Sequence, residues 1–539
     1  MRARDLSRFD GNIYDLLVVG GGIHGLACAY EAASRGLRVA LIEAADFGSG
    51  ASFNHQKTAH GGLRSLASGH LGRARESIRE RRALARIAPW FLRPLPFLVG
   101  TYRSVVKNRV ALHAAFKFDA WLGRTRNQGL EPELHLPTPR LVSKAATLRL
   151  FPGIRQEGLT GGAQWYDYQI VEADRLTFAF AAAAAASGAD LANYIEATGV
   201  VRESGRIAGM TVHDRLSNQS FDIRARVTLN ATGSRAGDVM RLFGVDRPFP
   251  LLKAMNLVTS RPASDMALAA PTRDGRMLTL VPWRGRALVG TGQSATLVGA
   301  NDLAVTAAEV DALIAEANFA FPALKLTAAD VTLIHRGTVP ATAGNTRKPD
   351  LKASPEIIDH ANGAVTIVGV KFTTARRVAE RAIAVVARQL HRRLPRSRTT
   401  ITPLPGAAIA DHEALAIETA RGLRMDVPLP LIRHLIALYA EGAAEIVRLV
   451  HERPELAQPL GSGIETIQAE VVYTIRREMA MRLTDVLVRR TELGSAREPA
   501  AEAVRTAARI AQAELGWDDE RTALEVKDVE RFYLVSSNH

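Results

Sequence analysis

The stretch of residues 16–43 constrains the fold of this chain more than any other part of its sequence. It begins with an apolar run that ends in three glycines, continues with a segment of helical periodicity, and closes with a second apolar run that ends at Glu43. This order predicts a β-strand, an α-helix and a second β-strand, with the glycines at the first turn.

Two glycines of this run, a third glycine inside the helical segment and the terminal acid match the pattern G-x-G-x-x-G followed by a distant carboxylate. Gly20 allows the tight turn, and Gly22 lets the backbone approach a pyrophosphate. Gly25 lets the helix pack closely on the strand, and Glu43 accepts hydrogen bonds from a ribose. The pattern predicts a dinucleotide site at the N-terminus of the helix, whereas a glycine-rich turn without a ligand is the alternative.

Length and composition indicate a folded chain of several domains. The chain has 539 residues, 47% of them hydrophobic. Cys28 is the only cysteine, so no disulfide forms within the chain, which suits a reducing compartment. No apolar run is long enough to span a bilayer, and the first fifteen residues lack the apolar core of a signal peptide. We therefore expect a cytoplasmic protein.

The net charge of +14 is concentrated in one region. Residues 60–124 contain thirteen Lys or Arg and three Asp or Glu, with Trp90, Phe91 and Phe97 among them. Basic residues beside aromatic ones are typical of contact with an anionic membrane surface, here the inner face of the cytoplasmic membrane. A solvated basic face over an ordinary core is the alternative. No nucleic-acid-binding motif is present, so nucleic acid is not an expected partner.

Later stretches of the sequence predict further buried strands that belong beside the first strand. Residues 227–233 form a buried apolar run closing on Ala-Thr-Gly, and residues 364–369 form another before a long helical pattern, with Thr373 as its N-cap. Residues 249–292 contain strand-like runs that predict an antiparallel sheet. Residues 392–405 are basic and proline-rich, and the sequence after them is helical in pattern. No His, Cys and Asp cluster has metal-ligand spacing.

The sequence resembles the FAD-dependent glycerol-3-phosphate dehydrogenases. Residues 57–64 (KTAHGGLR), 229–233 (NATG after Leu229) and 369–374 (GVKFTT) carry the resemblance together with the opening motif, and residues 470–491 support it. The resemblance implies an α/β fold with a glutathione-reductase-like FAD-binding Rossmann domain, an antiparallel-sheet substrate domain and a helical C-terminal domain. Residues 1–400 would form the FAD-binding domain and the substrate domain, with the substrate-domain segments near residues 88–165 and 245–345. Residues 401–539 would form the helical C-terminal domain.

The resemblance implies FAD as the cofactor and gives cofactor contacts to residues spread along the chain. A helix start near the flavin would stabilise the negative charge of its reduced form. The expected cofactor-binding residues are Gly20, Gly22, Gly25, Glu43, Ser52, Lys57, Gly61, Gly62, Leu63, Val200, Ala231, Gly233, Gly369, Phe372 and Thr373.

The implied reaction is oxidation of a secondary alcohol to a ketone, with electrons passed to a quinone. The expected catalytic residues are His60, Arg64, Arg336 and Lys371. His60 is either the base or a flavin neighbour, unless it is a packed histidine. Arg64 binds an anion or forms a surface ion pair. Lys371 contacts cofactor or substrate, or only flanks a helix.

The sequence departs from the family pattern where substrate should bind. Val339 stands where the family has an arginine that contacts the substrate phosphate, and Ser65 replaces a tyrosine. Arg336 lies three positions before Val339, on the opposite face of a regular strand, and would substitute only if the strand bulged at Gly337. We therefore expect weak or no activity on glycerol 3-phosphate, and a larger phosphorylated polyol or another anionic secondary alcohol as substrate. An FAD oxidase or dehydrogenase of a hydroxy acid or amine, or a flavoprotein without catalysis, are the alternatives.

Overall fold

The computed structural model describes residues 4–62, 70–102, 116, 123–342, 349–407, 412–422 and 428–534. Its strands are β1 (Ile13–Val19), β2 (Val39–Ile42), β3 (Thr58–Ala59), β4 (Leu92–Tyr102), β5 (Arg140–Ser143), β6 (Leu159–Ile170), β7 (Asp190–Ala192), β8 (Ile195–Glu203), β9 (Arg206–Asp214), β10 (Gln219–Asn230), β11 (Leu251–Pro262), β12 (Ala267–Pro271), β13 (Met277–Trp283), β14 (Arg286–Gln293), β15 (Val331–Thr342), β16 (Asp350–Leu351), β17 (Glu356–Asp359) and β18 (Ala364–Val368). Its helices are α1 (Ile23–Ala33), α2 (Leu71–Ile87), α3 (Lys144–Leu150), α4 (Ala173–Ala186), α5 (Ala236–Leu242), α6 (Ala307–Ala320), α7 (Ala375–Gln389), α8 (His412–Gly422), α9 (Leu429–Tyr439), α10 (Ala443–Glu452), α11 (Gln468–Glu478), α12 (Ala501–Leu515) and α13 (Asp519–Tyr533).

The first sheet is built around a parallel core with the strand order β17-β18-β10-β1-β2-β7. The strand β1 pairs in parallel with β2 and β10, and β10 pairs in parallel with β18. Helix α1 packs against α4 and α7 beside this sheet. Because parallel strands end at the same edge, the chain leaves β1, β10 and β18 side by side, after Val19, Asn230 and Val368.

The second sheet has the order β16-β15-β11-β14-β13-β12-β4-β6-β3 and is mostly antiparallel. Helix α6 covers one of its faces, where Leu313 and Ala317 pack with Leu257 and Leu280. The other face packs on the loop that follows β2, through contacts of Phe53 with apolar side chains of several strands. The predicted α/β fold with an antiparallel sheet is thereby confirmed.

The described residues that follow α7 form helices and one isolated bridge between Pro459 and Ile467. Their core contains Ile432, Leu435 and Ile446. On this basis we propose a boundary between the FAD-binding region and the helical C-terminal domain near residue 400. Among the described residues, no helix is both long enough and apolar enough to cross a membrane.

A buried ion cluster attaches this helical region to the loop after β2. The carboxylate of Asp46 accepts hydrogen bonds from Arg489 Nε at 2.6 Å and from Arg490 Nη2 at 2.7 Å. Burial raises the pKa of Asp46, but the Arg490 and Arg489 guanidiniums outweigh it, so the pKa lies below its usual value. Asp485 pairs with Arg489 and accepts a hydrogen bond from the Tyr194 hydroxyl at 2.8 Å. The loop that begins at Glu43 is therefore fixed to the C-terminal helices.

Candidate functional site

The glycine turn after β1 lies against the end of β10. The Ala231 N–H donates to the Val19 carbonyl at 2.8 Å, and Gly20 has a φ of +107°. A Cβ atom on Gly20 would lie 2.7 Å from the Ala231 carbonyl oxygen, and one on Gly25 would overlap the Gly20 carbonyl oxygen. The turn therefore requires glycine at both positions, as the motif predicts.

Glu43 lies at the carboxyl end of β2, beside the glycine turn. One of its carboxylate oxygens accepts the Gly21 N–H at 2.5 Å, and the other accepts the Ala45 N–H at 2.9 Å. Burial raises the pKa of Glu43, and these two hydrogen bonds act in the opposite direction. Each oxygen retains a lone pair, so the carboxylate can still accept from a ribose hydroxyl.

Ser52 lies at the N-terminus of α1. Its Oγ accepts the Ile23 N–H at 2.9 Å, and Gly22 precedes the helix without a side-chain cap of its own. The hydroxyl hydrogen of Ser52 and the N–H groups of the first turn are suited to bind a pyrophosphate, because the helix dipole adds positive charge there.

Lys57 is fully buried, and its ammonium contacts protein groups. The Nζ atom donates to the Phe53 carbonyl at 2.6 Å and lies 3.7 Å from an Asp174 carboxylate oxygen. The rings of Phe53 and Trp283 lie 4.5 and 5.1 Å from it. Lys57 thus fixes the loop 51–57 to α4, which does not fit the predicted direct contact with the cofactor.

His60 and Gly61 are held by Asp167, which no sequence motif indicated. The Gly61 N–H donates to Asp167 Oδ1 at 2.6 Å, and His60 Nδ1 lies 3.4 Å from Asp167 Oδ2. His60 Nε2 lies 2.8 Å from the Thr58 hydroxyl oxygen, and the His60 side chain is 50% exposed. Burial raises the pKa of Asp167, but its pair with Arg81 outweighs burial, so the pKa lies below its usual value. Asp167 is therefore ionised and orients His60.

The segment after β18 contacts both the glycine turn and the loop 51–57. A Cβ atom on Gly369 would lie 2.5 Å from the His24 ring of α1. Phe372 stacks on His55 with 4.6 Å between ring centroids and 21° between planes. Three stretches that are distant in sequence thus meet at one edge of the first sheet.

Thr373 does not cap α7. It lies inside a 3-10 turn, Phe372–Thr374, and α7 begins at Ala375 with no side-chain cap. Its hydroxyl oxygen instead accepts the His60 N–H at 3.2 Å. The N-cap prediction was wrong because the chain makes a tighter turn before the helix. Lys371 is half-buried and immediately precedes that turn.

The other predicted cofactor residues lie in several different parts of the structure. Gly233 follows β10 with a φ of +62°, at the start of a 3-10 turn. Gly62 also has a positive φ, and a Cβ atom there would lie 2.9 Å from the Ser77 Cβ atom of α2. Val200 lies on β8, partly buried against the core cluster on the other side of the first sheet. Leu63 and Arg64 lie outside the described residues.

The Arg336 side chain points away from the loop 51–57, although its backbone N–H donates to Asn54 Oδ1 in that loop at 3.0 Å. The pairing of β15 with β11 is regular from Leu333 to Pro340, so the strand has no bulge at Gly337. His335 and Gly337 approach that loop, and Val339 shares their face. The Arg336 guanidinium donates to the Leu534 carbonyl at 3.2 Å. Arg336 was expected to replace the missing arginine only if the strand bulged at Gly337, and the regular pairing of β15 does not meet this condition.

The second sheet presents uncharged polar groups to the same loop. Asn256 Oδ1 accepts from the Thr291 hydroxyl at 3.0 Å, and Asn256 Nδ2 donates to the Asn54 carbonyl at 3.2 Å. The Thr279 hydroxyl lies 2.8 Å from Gln56 Oε1. These hydrogen bonds join residues that are far apart in the chain, so they could not be predicted from the sequence.

The glycine turn and the start of α1 test whether a dinucleotide fits here. The turn has no room for a Cβ atom at Gly20 or Gly25, and α1 begins without a side-chain cap from Gly22. A helix start of this kind, with the Ser52 hydroxyl beside it, fits the pyrophosphate of a dinucleotide. Within the described part of the chain, no group of acidic, histidine or cysteine residues could hold a metal ion.

Two family models match this chain. The model described as FAD dependent oxidoreductase matches residues 15–389, and the C-terminal domain of alpha-glycerophosphate oxidase matches residues 397–522. The two matches together include both sheets and most of the helical region.

Similar proteins cover nearly the whole chain. A glycerol-3-phosphate dehydrogenase of Synechocystis is 31% identical over 512 residues, which are 91% of this chain and 90% of the relative. One of Mycobacterium leprae is 30% identical, over 91% of this chain and 82% of the relative. The crystal structure of the glycerol-3-phosphate dehydrogenase from Bacillus halodurans with FAD has a TM-score of 0.77 at 24% identity, covering 98% of this chain and 96% of that one, and shows the same fold. The chain therefore belongs to the family of FAD-dependent glycerol-3-phosphate dehydrogenases, and its cofactor is FAD.

Proposed function

We propose that this enzyme oxidises a secondary alcohol of glycerol 3-phosphate or a related phosphorylated polyol to a ketone, and that a quinone receives the electrons. FAD supplies the hydride acceptor when bound. The glycine turn, Glu43 and Ser52 would hold its adenosine and pyrophosphate, and Ala231 and the Gly369 segment would hold its other end. The convergence of these stretches at the carboxyl ends of β1, β10 and β18 is the observation that carries the proposal.

His60 and Asp167 are suited to accept the hydroxyl proton of the substrate. The ionised carboxylate of Asp167 lies next to the His60 ring, where it would stabilise the positive charge that the imidazole gains on accepting a proton. The half-exposed His60 ring is accessible to a substrate. Lys371 and Arg64 would supply positive charge for an anionic substrate, as the family resemblance implies.

The substrate site lacks one guanidinium. Val339 occupies the position of the family arginine, and no shift of β15 brings Arg336 to its place. Loss of a charge-assisted hydrogen bond costs about 1.5–3 kcal/mol. The amide and hydroxyl groups of Asn256, Thr291 and Gln56 favour an alcohol with more hydroxyl groups than glycerol 3-phosphate. We therefore propose a larger phosphorylated polyol as the preferred substrate.

Anaerobic bleaching of the flavin absorbance by a panel of polyol phosphates tests this proposal. We expect larger polyol phosphates to reduce the flavin faster than glycerol 3-phosphate does. We also expect Val339→Arg to raise kcat/KM for glycerol 3-phosphate by about 10- to 100-fold, because the new arginine would restore one charge-assisted hydrogen bond to the substrate phosphate. Val339→Leu is the matched control and should leave it unchanged. Rapid bleaching of the unmodified enzyme by micromolar glycerol 3-phosphate would refute the altered specificity.

We propose that α2 contacts an anionic membrane surface, where the enzyme would meet a quinone. Arg75 and Arg79 are exposed on one face of this helix, and Leu71 at its start is 51% exposed. Cationic side chains beside an apolar one suit the headgroup region of a bilayer.

Co-sedimentation with phospholipid vesicles tests the contact. Binding to anionic vesicles should weaken as salt rises, and the double variant Arg75→Glu, Arg79→Glu should lose it. Arg505→Glu with Arg509→Glu is the matched control, because these residues have the same spacing and exposure on α12. Equal loss in both variants, or equal binding to neutral vesicles, would contradict the assignment to α2.

A further inference from the structure

Arg81 is a buried arginine of α2 that lies behind the segment holding His60. Its guanidinium pairs with the Asp167 carboxylate and donates to the Tyr166 carbonyl at 3.0 Å. A Cβ atom on Gly61 would overlap this guanidinium, so the backbone beside His60 packs directly against it. Arg81 is only 5% exposed, and its charge therefore acts where water screens it weakly. No sequence motif indicated this residue.

Among the groups that contact Asp167, the Arg81 guanidinium carries a permanent charge. The Gly61 N–H and the Trp165 indole N–H donate to the carboxylate at 2.6 and 3.2 Å, and both donors are neutral. The His60 ring, whose Nδ1 lies 3.4 Å away, is charged only when it holds a second proton. Burial alone would raise the pKa of the Asp167 carboxyl, and Arg81 makes the largest opposing contribution. The negative charge of Asp167 thus depends mainly on Arg81.

The strands around Asp167 bring no further charge close to it. Leu95 of β4 lies opposite Asp167 in the second sheet. Tyr168, next but one to Trp165 on β6, stays neutral because burial raises its pKa to about 12. Among the described residues, the charges that act most strongly on Asp167 are therefore those of Arg81 and His60.

The ionised carboxylate of Asp167 determines where the neutral His60 ring carries its proton. Because a carboxylate only accepts hydrogen bonds, the Nδ1 atom that faces it must donate. The other nitrogen, Nε2, is then an acceptor and lies 2.8 Å from the Thr58 hydroxyl oxygen. A substrate hydroxyl in place of the Thr58 hydroxyl could pass its proton to Nε2. A protonated Asp167 would neither impose this arrangement nor stabilise the resulting imidazolium.

The helix that carries Arg81 is itself fixed on both sides. Glu80, the preceding residue, accepts hydrogen bonds from Arg376 Nη2 and Nε at 2.7 and 2.8 Å, at the start of α7. One turn earlier, Ser77 lies so close to Gly62 that a Cβ atom on this glycine would be 2.9 Å from the Ser77 Cβ atom. The position of the Arg81 guanidinium is therefore set by a packed helix and not by a loop.

We propose that Arg81 is a positioning residue for the oxidation of the alcohol, which keeps Asp167 ionised and thereby holds His60 with Nε2 ready to accept the hydroxyl proton. This inference rests on the proposed role of His60 as the base. Arg81 acts through Asp167 and needs no contact with substrate or cofactor. Its loss should therefore slow reduction of the flavin and leave the affinity for FAD unchanged.

Anaerobic stopped-flow reduction of the holoenzyme tests the proposal, with the alcohol that bleaches the unmodified flavin fastest. Arg81→Met removes the charge but keeps an unbranched side chain. We expect the rate constant at saturating substrate to fall about 10- to 100-fold at neutral pH, the equivalent of one buried charge-assisted hydrogen bond. Without the guanidinium, burial raises the pKa of Asp167. The deficit relative to the unmodified enzyme should therefore be larger near pH 6 than near pH 9, where Asp167 regains its charge.

A double-mutant cycle separates this role from a general loss of structure. Asp167→Asn should slow flavin reduction without a deficit that depends on pH in this way. Adding Arg81→Met to it should cost little more, because the two residues act as one unit. Arg81→Lys keeps the charge and should stay within a few-fold of the unmodified rate at each pH. The FAD dissociation constant should be unchanged in all of these proteins.

Glu80→Gln is the matched control, since Glu80 is the neighbouring residue of α2, is equally buried and also forms an ion pair. It should lower stability without the pH-dependent deficit. Circular dichroism checks folding, and Arg81→Lys with Asp167→Asn provides the comparison if Arg81→Met does not fold. A deficit of Arg81→Met that is equal at all pH values, additive effects in the cycle, or a loss in Arg81→Lys as large as in Asp167→Asn would overturn the proposal. Absence of bleaching in the unmodified protein would instead refute the proposed function, and this proposal with it.

Discussion

Replacing Gly25 with alanine is expected to abolish FAD binding. A Cβ atom at this position would overlap the carbonyl oxygen of Gly20, which is backbone and cannot rotate away. The helix would have to move away from the turn, and the turn is in contact with Ala231 on its other side. A displacement of this kind costs about 3 kcal/mol or more, which is at least a hundredfold in affinity.

The measurement is titration of the apoprotein with FAD, followed by flavin absorbance. Gly72→Ala is the matched control, since a Cβ atom there meets nothing within 4 Å. Alanine at Gly72 should bind FAD as the unmodified protein does. A yellow Gly25→Ala protein with unchanged affinity would show that the turn does not hold the cofactor closely.

Replacing Asp46 with asparagine is expected to lower the free energy of unfolding by about 3–5 kcal/mol. Asp46 is fully buried and pairs with two guanidiniums, Arg489 and Arg490. Asparagine keeps the shape of the side chain but leaves these buried positive charges without compensation. The resulting loss of stability is larger than the contribution of an exposed ion pair.

Urea unfolding of the holoenzyme measures this loss. Asp238→Asn is the control, because Asp238 is 37% exposed and pairs with Arg241 at the surface. It should cost no more than about 1 kcal/mol. Because Asp46 lies in the loop after Glu43, we also expect faster proteolysis between the first sheet and the helical region. Equal effects of the two substitutions would show that the cluster does not attach the helices.

The strands and the glycine turn on the cofactor side of the molecule could be predicted from the sequence, since they depend on local patterns. The glycine turn, the Ala-Thr-Gly end of β10 and the buried strand β18 could each be recognised from a short stretch. Their meeting at one edge followed from parallel pairing. The family resemblance then predicted FAD, which the family models and the similar proteins confirm.

The predictions that needed pairing between distant residues were less complete. Asp167 lies on a strand with no motif, and only the fold brings it to His60. Lys57 was expected at the cofactor, but burial beside Asp174 gives it a structural position. The stacking of Phe372 on His55 joins two stretches that are distant in sequence, and no linear pattern shows it.

Amide hydrogen exchange of the apoprotein and of the FAD-loaded protein tests most directly whether three distant stretches form one cofactor site. We predict that FAD slows exchange at residues 20–25, 231–233 and 369–373 together, with residues of α12 and α13 unchanged. Protection confined to residues 20–25 would contradict this account, since the other two stretches would then take no part in binding.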